Sequence, residues 1–127
     1  MLSNTAIKQA IERGLLAVTP FSDSQIDRAH IDLYLDSVNN LEVPAKTFLT
    51  ALTREKVTIG ESLCAIVEGR AALAKKGISV EQSSTFCEPG TDNKLTLEIF
   101  NASDADVTLD LSKPIAKMFI MKLEENL

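Results

Sequence analysis

Short stretches of strand-forming residues, separated by turn residues, recur through most of this sequence at intervals of about ten positions. The turn clusters include EPGTDN, ASDAD and SKP, which combine Pro, Gly, Asp, Asn and Ser. Many short strands with turns between them predict an all-β fold, namely a sandwich, jelly roll or barrel. The candidate strands read LLAVTPF, HIDLYLDS, KTFLTALTREKVTIG, SLCAIVEG, ISVEQSSTF, KLTLEIFN, VTLDL and IAKMFIMKL.

Two short helices are predicted against this background. Ser3 or Asn4 can cap a helix that carries apolar residues at helical spacing and ends near Gly14. The stretch RAALAKKG, residues 70–77, reads as one or two helical turns closed by Gly77. Everything else in the chain is predicted to be extended or to form turns.

Size and charge limit the functions that this chain can have. Its 127 residues contain no internal repeat or linker, so residues 1–127 are predicted to form one domain. The net charge of -5 argues against a nucleic acid as the main partner. No apolar stretch approaches the length that crosses a bilayer, and MLSNTAIKQAIERG lacks the apolar run of a signal peptide. We therefore expect a cytoplasmic protein that binds neither membrane nor nucleic acid.

Cysteine and histidine are too scarce to predict a metal site. Cys64 and Cys87 are expected to stay reduced as small buried hydrophobes. His30 is the single histidine, and the His-x-Glu and Pro-Cys-x-x-Cys signature of zinc-dependent base deaminases is absent. The sequence therefore predicts no metal held by protein side chains, and any activation of water must proceed without zinc.

The strand KLTLEIFN places an acid among strand-forming residues. Its two-residue alternation puts Glu98 on the same face as Phe100 and on the opposite face from Leu97. The octapeptide alone favours a solvated outer face, because antiparallel sheets often expose one side to water. A sheltered Glu98 is the alternative, and the rest of the chain has to decide between them.

One long segment, residues 67–100, reads VEGRAALAKKGISVEQSSTFCEPGTDNKLTLEIF. It resembles the central signature of the dCTP deaminase and dUTPase superfamily: Gly-Arg-Ser-Ser-Leu-Ala-Arg-x-Gly, an extended segment, Asp-Pro-Gly, a turn, and a strand ending in Leu-Glu. Upstream, QIDRAHIDLYL resembles the family's Gln-Ile-x-Pro-Ala-Ser-x-Asp-x-Arg-Leu. The residues in register are Gln25, Ile26, Ala29, Asp32, Leu35, Gly69, Arg70, Leu73, Ala74, Gly77, Pro89, Gly90, Leu97 and Glu98.

The resemblance implies a fold, partners and a reaction. The fold is a distorted jelly-roll β-barrel of the dUTPase type, assembled as a homotrimer with nucleotide sites between subunits. The ligand is a deoxynucleotide, dCTP or dUTP, and Mg²⁺ arrives only with the triphosphate. The reaction is a metal-independent attack of water at C4 of cytosine, which gives dUTP and ammonia.

The resemblance also assigns roles to individual residues. Glu98 matches the catalytic glutamate, which acts as general base and then as proton donor. Glu88 matches the aspartate of Asp-Pro-Gly, beside the sugar and base. The segment from Arg70 to Lys75 matches the phosphate-binding segment, where backbone amides and cations attract the anion. The implied nucleotide-binding residues are Arg70, Ala71, Ala72, Lys75, Ser84, Glu88, Thr96 and Leu97.

Several positions depart from the family pattern. Ala71 and Ala72 replace two serines, and Lys75 replaces an arginine, so hydroxyl donors and a planar guanidinium are lost. Because the sequence ends at Leu127, we expect it to lack the segment that folds over the triphosphate in deaminases and the Gly-rich tail of dUTPases. These losses leave a second hypothesis open, a catalytically silent trimeric nucleotide-binding or regulatory module. The missing Gly-rich tail disfavours dUTP pyrophosphatase activity.

Overall fold

The computed structural model describes residues 1–37, 40–83 and 85–125. Strands dominate it, as the sequence predicts, and the all-β class is confirmed. The elements are α1 Asn4–Glu12, β1 Leu16–Thr19, a 3-10 turn Asp23–Gln25, β2 Ile31–Leu33, β3 Leu41–Val43, β4 Phe48–Ile59, β5 Leu63–Gly69, α2 Ala71–Ala74, β6 Ile78–Val80, β7 Thr85–Cys87, β8 Asp92–Asn101, β9 Val107–Leu109 and β10 Ala116–Lys122.

The strands form two four-stranded antiparallel sheets and one small pair. One sheet has the order β1-β4-β8-β6, the other β2-β10-β5-β7, and β3 pairs with β9. Within the described residues these sheets do not join into one closed barrel. Side chains from both large sheets belong to a single hydrophobic core, so the arrangement is a jelly-roll sandwich rather than a continuous cylinder.

Along β8, side chains that point into the core alternate with side chains on the outer face. Leu95, Leu97 and Ile99 are buried, whereas Thr96 is exposed and Glu98 is half-buried on the other face. This is the pattern predicted from KLTLEIFN. Each fully buried Leu or Ile contributes about 1.5–3 kcal/mol, so a one-residue slip, which would turn every side chain to the other face, is strongly disfavoured.

Helix α1 begins and ends as the sequence predicts. The Ser3 hydroxyl accepts a hydrogen bond from the Ala6 N–H at 3.3 Å, and Ile7 and Ala10 are buried. Gly14 adopts a positive φ of 71° just after the helix, a conformation that glycine reaches without steric cost. Among the described ranges, no helix combines the length and apolar character needed to cross a membrane.

A bulge in β4 turns polar side chains into the core. The β4–β8 register shifts between Leu52 and Lys56, and Thr53 and Glu55 are both 0% exposed. The Thr53 hydroxyl donates to the Glu55 carbonyl at 2.7 Å and accepts from the Leu95 N–H at 2.9 Å. The bulge is thus closed by side-chain hydrogen bonds where the regular ladder is interrupted.

The Glu55 carboxylate is buried and accepts hydrogen bonds from three residues, namely Gln25, Tyr34 and Arg54. The Tyr34 N–H donates to Oε1 at 2.9 Å. Gln25 Nε2 and Arg54 Nη2 donate to Oε2 at 3.0 and 3.1 Å. Gln25 Nε2 also donates to the Asp32 carbonyl at 2.9 Å. These bonds tie β4 to β2 and to the turn that precedes it.

We expect Glu55→Ala to lower the free energy of unfolding by about 3–5 kcal/mol, because one buried and two part-buried donors lose their acceptor. Urea unfolding followed by circular dichroism measures the change. Glu42→Ala removes an exposed carboxylate from β3 and should change stability by less than about 0.5 kcal/mol. Equal losses in the two variants would contradict the structural role of Glu55.

Candidate functional site

An open groove lies between the end of β5, helix α2 and the loop after β6. Its volume is about 530 Å³, within the range of about 300–1,000 Å³ typical of small-molecule sites. Charged side chains stand along it: Arg70 and Glu68 near the end of β5, and Glu81 after β6. The other lining residues are Val67, Gly69, Ala71, Ala74, Ile78, Ser79, Val80, Gln82 and Ser83.

A carboxylate from a distant part of the chain positions Arg70. Arg70 Nη1 donates to Asp32 Oδ1 at 3.1 Å, and His30 Nε2 lies 3.1 Å from the same oxygen. Asp32 is the middle residue of β2, so the two segments that carry the family resemblance meet here. The Arg70 side chain is 31% exposed, and a guanidinium has five N–H donors. Arg70 can therefore keep this ion pair while it binds an anion in the groove.

Helix α2 contributes less to the binding of an anion than its sequence suggests. It has four residues, a single turn, so its dipole contributes little. Ala71 lines the groove, while Ala72 lines a second cleft of about 240 Å³ that also includes Arg70 and Lys76. Lys75 is exposed and lines neither cleft. In this structure the positive charge in the groove comes from Arg70.

Glu98 lies on the face of β8 that points away from the core. Its side chain is half-buried. The Ser83 N–H lies 3.5 Å from Glu98 Oε1, at the long limit for a hydrogen bond. The loop after β6 therefore shelters one side of this carboxylate, which a regular exposed strand would leave fully solvated.

Glu81 is a second carboxylate next to Glu98, and the sequence reasoning missed it. Its N–H donates to the Glu98 carbonyl at 2.6 Å, and its Oε1 accepts from the Glu98 N–H at 2.8 Å. Burial, and secondarily the charge of Glu98, raise the pKa of Glu81, although the bond from the Glu98 N–H opposes this shift. Glu81 has a φ of +81°, and no Gly, Pro or Asn nearby signals this backbone break.

Apart from Arg70 and Ala71, the described residues that were predicted for the site, Glu98 included, do not line this groove. Glu88 is exposed in the turn after β7, where its carbonyl accepts from the Thr91 hydroxyl at 2.7 Å. Thr96 is exposed on the same face as Glu98, whereas the Leu97 side chain is 0% exposed in the core. Leu97 can therefore contact a ligand only through its backbone. Ser84 lies outside the described residues.

Both cysteines are free and buried. Burial, with a smaller effect from the charge of Glu81, raises the pKa of the Cys87 thiol to about 11. A thiol with so high a pKa is a poor nucleophile near neutral pH. Over residues 1–37, 40–83 and 85–125, no group of three or more His, Cys, Asp or Glu side chains is arranged to hold a metal ion.

Residues 39–123 match the family model described as dCTP deaminase-like. The chain belongs to the dCTP deaminase-like family. A family member from Aquifex aeolicus is named dCTP deaminase, dUMP-forming. It is 28% identical over a gapped alignment of 149 positions, which covers 98% of this chain and 82% of that protein. One with the same name from Coprothermobacter proteolyticus is 28% identical over 156 residues, covering 99% and 84%.

Solved structures confirm the dUTPase-like fold that the resemblance implied. The 2′-deoxycytidine 5′-triphosphate deaminase from Agrobacterium tumefaciens superposes with a TM-score of 0.78 at 12% identity, over 97% of this chain and 48% of that chain. The native EIAV dUTPase gives a TM-score of 0.68 at 17% identity, over 88% and 92% of the two chains. At these identities the structures establish the fold alone.

We expect the two cysteines to be almost unreactive in the native protein. At the raised pKa of Cys87, about one thiol in a thousand is ionised near pH 8. A chromogenic disulfide reagent should therefore label native protein slowly, and guanidinium-unfolded protein should release two equivalents at once. Fast labelling of native Cys87, identified by peptide mass spectrometry, would contradict the burial described here.

Proposed function

We propose that this chain deaminates dCTP. In this reaction water replaces the 4-amino group of cytosine, and ammonia leaves. The observations that carry the proposal are Arg70 in the lining of the groove and the half-buried Glu98 carboxylate, which lies 3.5 Å from the N–H of Ser83, another lining residue. A nucleotide triphosphate needs a cation at its phosphate end, and deamination needs a base at its ring end. The names of the family members from Aquifex and Coprothermobacter support the same reaction class.

Glu98 is the proposed general base. Its carboxylate removes a proton from water as the oxygen attacks C4, and it then delivers a proton to the departing amino group. The net reaction consumes one water and releases one ammonia. The Ser83 N–H lies 3.5 Å from this carboxylate, and the side chain is half-buried, which strengthens its electrostatic effect on the ring.

Arg70 is the proposed main phosphate contact, and its pair with Asp32 fixes its orientation before the ligand arrives. Ala71 and Ala72 have no hydroxyl to offer, and Lys75 would have to reach the phosphates from outside the groove. Mg²⁺ bound to the triphosphate would offset part of this deficit by neutralising phosphate oxygens. We therefore expect EDTA to weaken dCTP binding.

The product dUMP is a second candidate outcome. The Aquifex and Coprothermobacter members are both named dUMP-forming, whereas deamination alone ends at dUTP. Formation of dUMP requires a further water to cleave the bond between the α- and β-phosphates. Chromatography of the reaction separates dUTP from dUMP, and the detection of pyrophosphate would identify the second step.

We also propose that copies of the chain associate as a homotrimer through the outer face of β4 and β8. Phe48 is 52% exposed and Leu52 is 47% exposed. Phe48 lies opposite Phe100, and the neighbouring Thr50 lies opposite Glu98. Exposed apolar side chains of this size around a candidate catalytic acid favour coverage by a second copy of the chain, which would complete the open side of the site.

Replacement of the proposed base tests the reaction. Glu98→Gln keeps the shape of the side chain but cannot accept a proton, so we expect ammonia release from dCTP to fall by about 10²–10⁴-fold. Glu42→Gln, at an exposed site on β3, should leave the rate unchanged. Full activity of Glu98→Gln would refute the assigned base. Tight dCTP binding by the wild-type chain without turnover would instead identify a silent nucleotide-binding module.

Charges placed on the apolar face test the assembly. We expect light scattering to give the mass of three chains for the wild type and of one chain for Phe48→Glu combined with Leu52→Glu, because buried like charges disfavour association. Ala17→Glu, on the exposed side of β1, should leave the trimer intact. A monomeric wild type, or a trimeric double variant, would exclude this face as the interface.

A further inference from the structure

The groove is lined by one cation, Arg70, and by the carboxylates of Glu68 and Glu81. Arg70 directly precedes α2, whereas Glu81 follows β6. Arg70 attracts the phosphates of a nucleotide, and Glu81 is then a lining residue that the base of the nucleotide can contact. This step rests on the proposed function, which places a deoxynucleotide in the groove.

Glu81 keeps one carboxylate oxygen for a ligand. Its Oε1 accepts the Glu98 N–H at 2.8 Å, which fixes the direction of the side chain. Its second oxygen has no hydrogen-bond partner within residues 1–37, 40–83 and 85–125. An ionised carboxylate accepts hydrogen bonds but donates none, so this oxygen is complementary to an N–H group and not to a carbonyl.

The backbone holds Glu81 in a conformation that side chains rarely adopt. Its φ is +81°, a region sparsely populated by residues other than glycine, asparagine and aspartate. Val80 still pairs with Ile99 in the ladder between β6 and β8, so the break comes at Glu81 itself. Backbone strain of this kind is concentrated at functional sites, where the surrounding structure maintains it.

We propose that Glu81 is the residue by which this groove distinguishes cytosine from uracil nucleotides. Its unpaired carboxylate oxygen accepts an N–H of the 4-amino group of cytosine. Uracil presents a carbonyl oxygen at the same ring position, and two acceptors facing each other repel. A polar site that loses its hydrogen-bond partner rejects the wrong ligand more strongly than an apolar pocket does. Glu98 stays available to activate water.

Equilibrium binding in a background without turnover tests this inference. The full chain carrying Glu98→Gln is titrated calorimetrically with Mg²⁺-dCTP and with Mg²⁺-dUTP, and the ratio of the two dissociation constants gives the base preference. Adding Glu81→Gln should reduce the preference for dCTP by about tenfold or more, because a carboxamide can turn its NH₂ group toward the uracil carbonyl.

A second variant guards against a folding artefact. Glu81→Gly suits a φ of +81°, so it should fold normally and still lose the preference for dCTP. Glu68→Gln removes an exposed carboxylate that lines the same groove. It should alter the affinity for both nucleotides alike and leave their ratio within twofold.

The outcomes separate this inference from the proposed function. An unchanged ratio in both Glu81 variants overturns the role of Glu81, even if the wild type deaminates dCTP. A reduced ratio supports it, even if the wild type releases no ammonia and the deaminase proposal fails. If neither nucleotide binds to the wild type or to Glu98→Gln, both the role of Glu81 and the proposed function are overturned.

Discussion

The buried carboxylate of Glu55 connects the parts of the structure on which the candidate site depends. A bulge in β4 directs it inward, and donors from Tyr34, Gln25 and Arg54 satisfy it. A buried carboxylate without such donors would strongly destabilise the fold. The same network holds the backbone of Asp32 through Gln25, so a core requirement fixes the strand on which Arg70 is anchored.

The site is built from elements of both large sheets. Arg70 follows β5 in one sheet and is anchored on β2 of the same sheet, whereas Glu98 lies on β8 of the other. Consecutive strands lie in different sheets here, as β6 pairs with β8 and β7 pairs with β5. Glu81 and Ser83, which follow β6 and line the groove, both contact Glu98.

Local pattern predicted most of the elements because their signals are local. Alternating side chains identified β8, a cap and a glycine delimited α1, and Gly77 closed α2 with a φ of +87°. The sequence did not predict β3, whose three residues exist as a strand because they pair with β9. The Asn101 side chain also donates to the Val43 carbonyl at 2.9 Å, a contact between segments far apart in the chain.

The sequence by itself determined the face of β8 on which Glu98 lies, because a two-residue period leaves one choice once the apolar residues are buried. It also placed Arg70 directly before the turn of α2. Only the tertiary structure decided that Arg70 meets Asp32 across 38 positions of the chain, and that Glu81 meets Glu98 across 17. Such pairings depend on how the sheets pack together. A local periodicity in the sequence does not show which distant side chains come into contact.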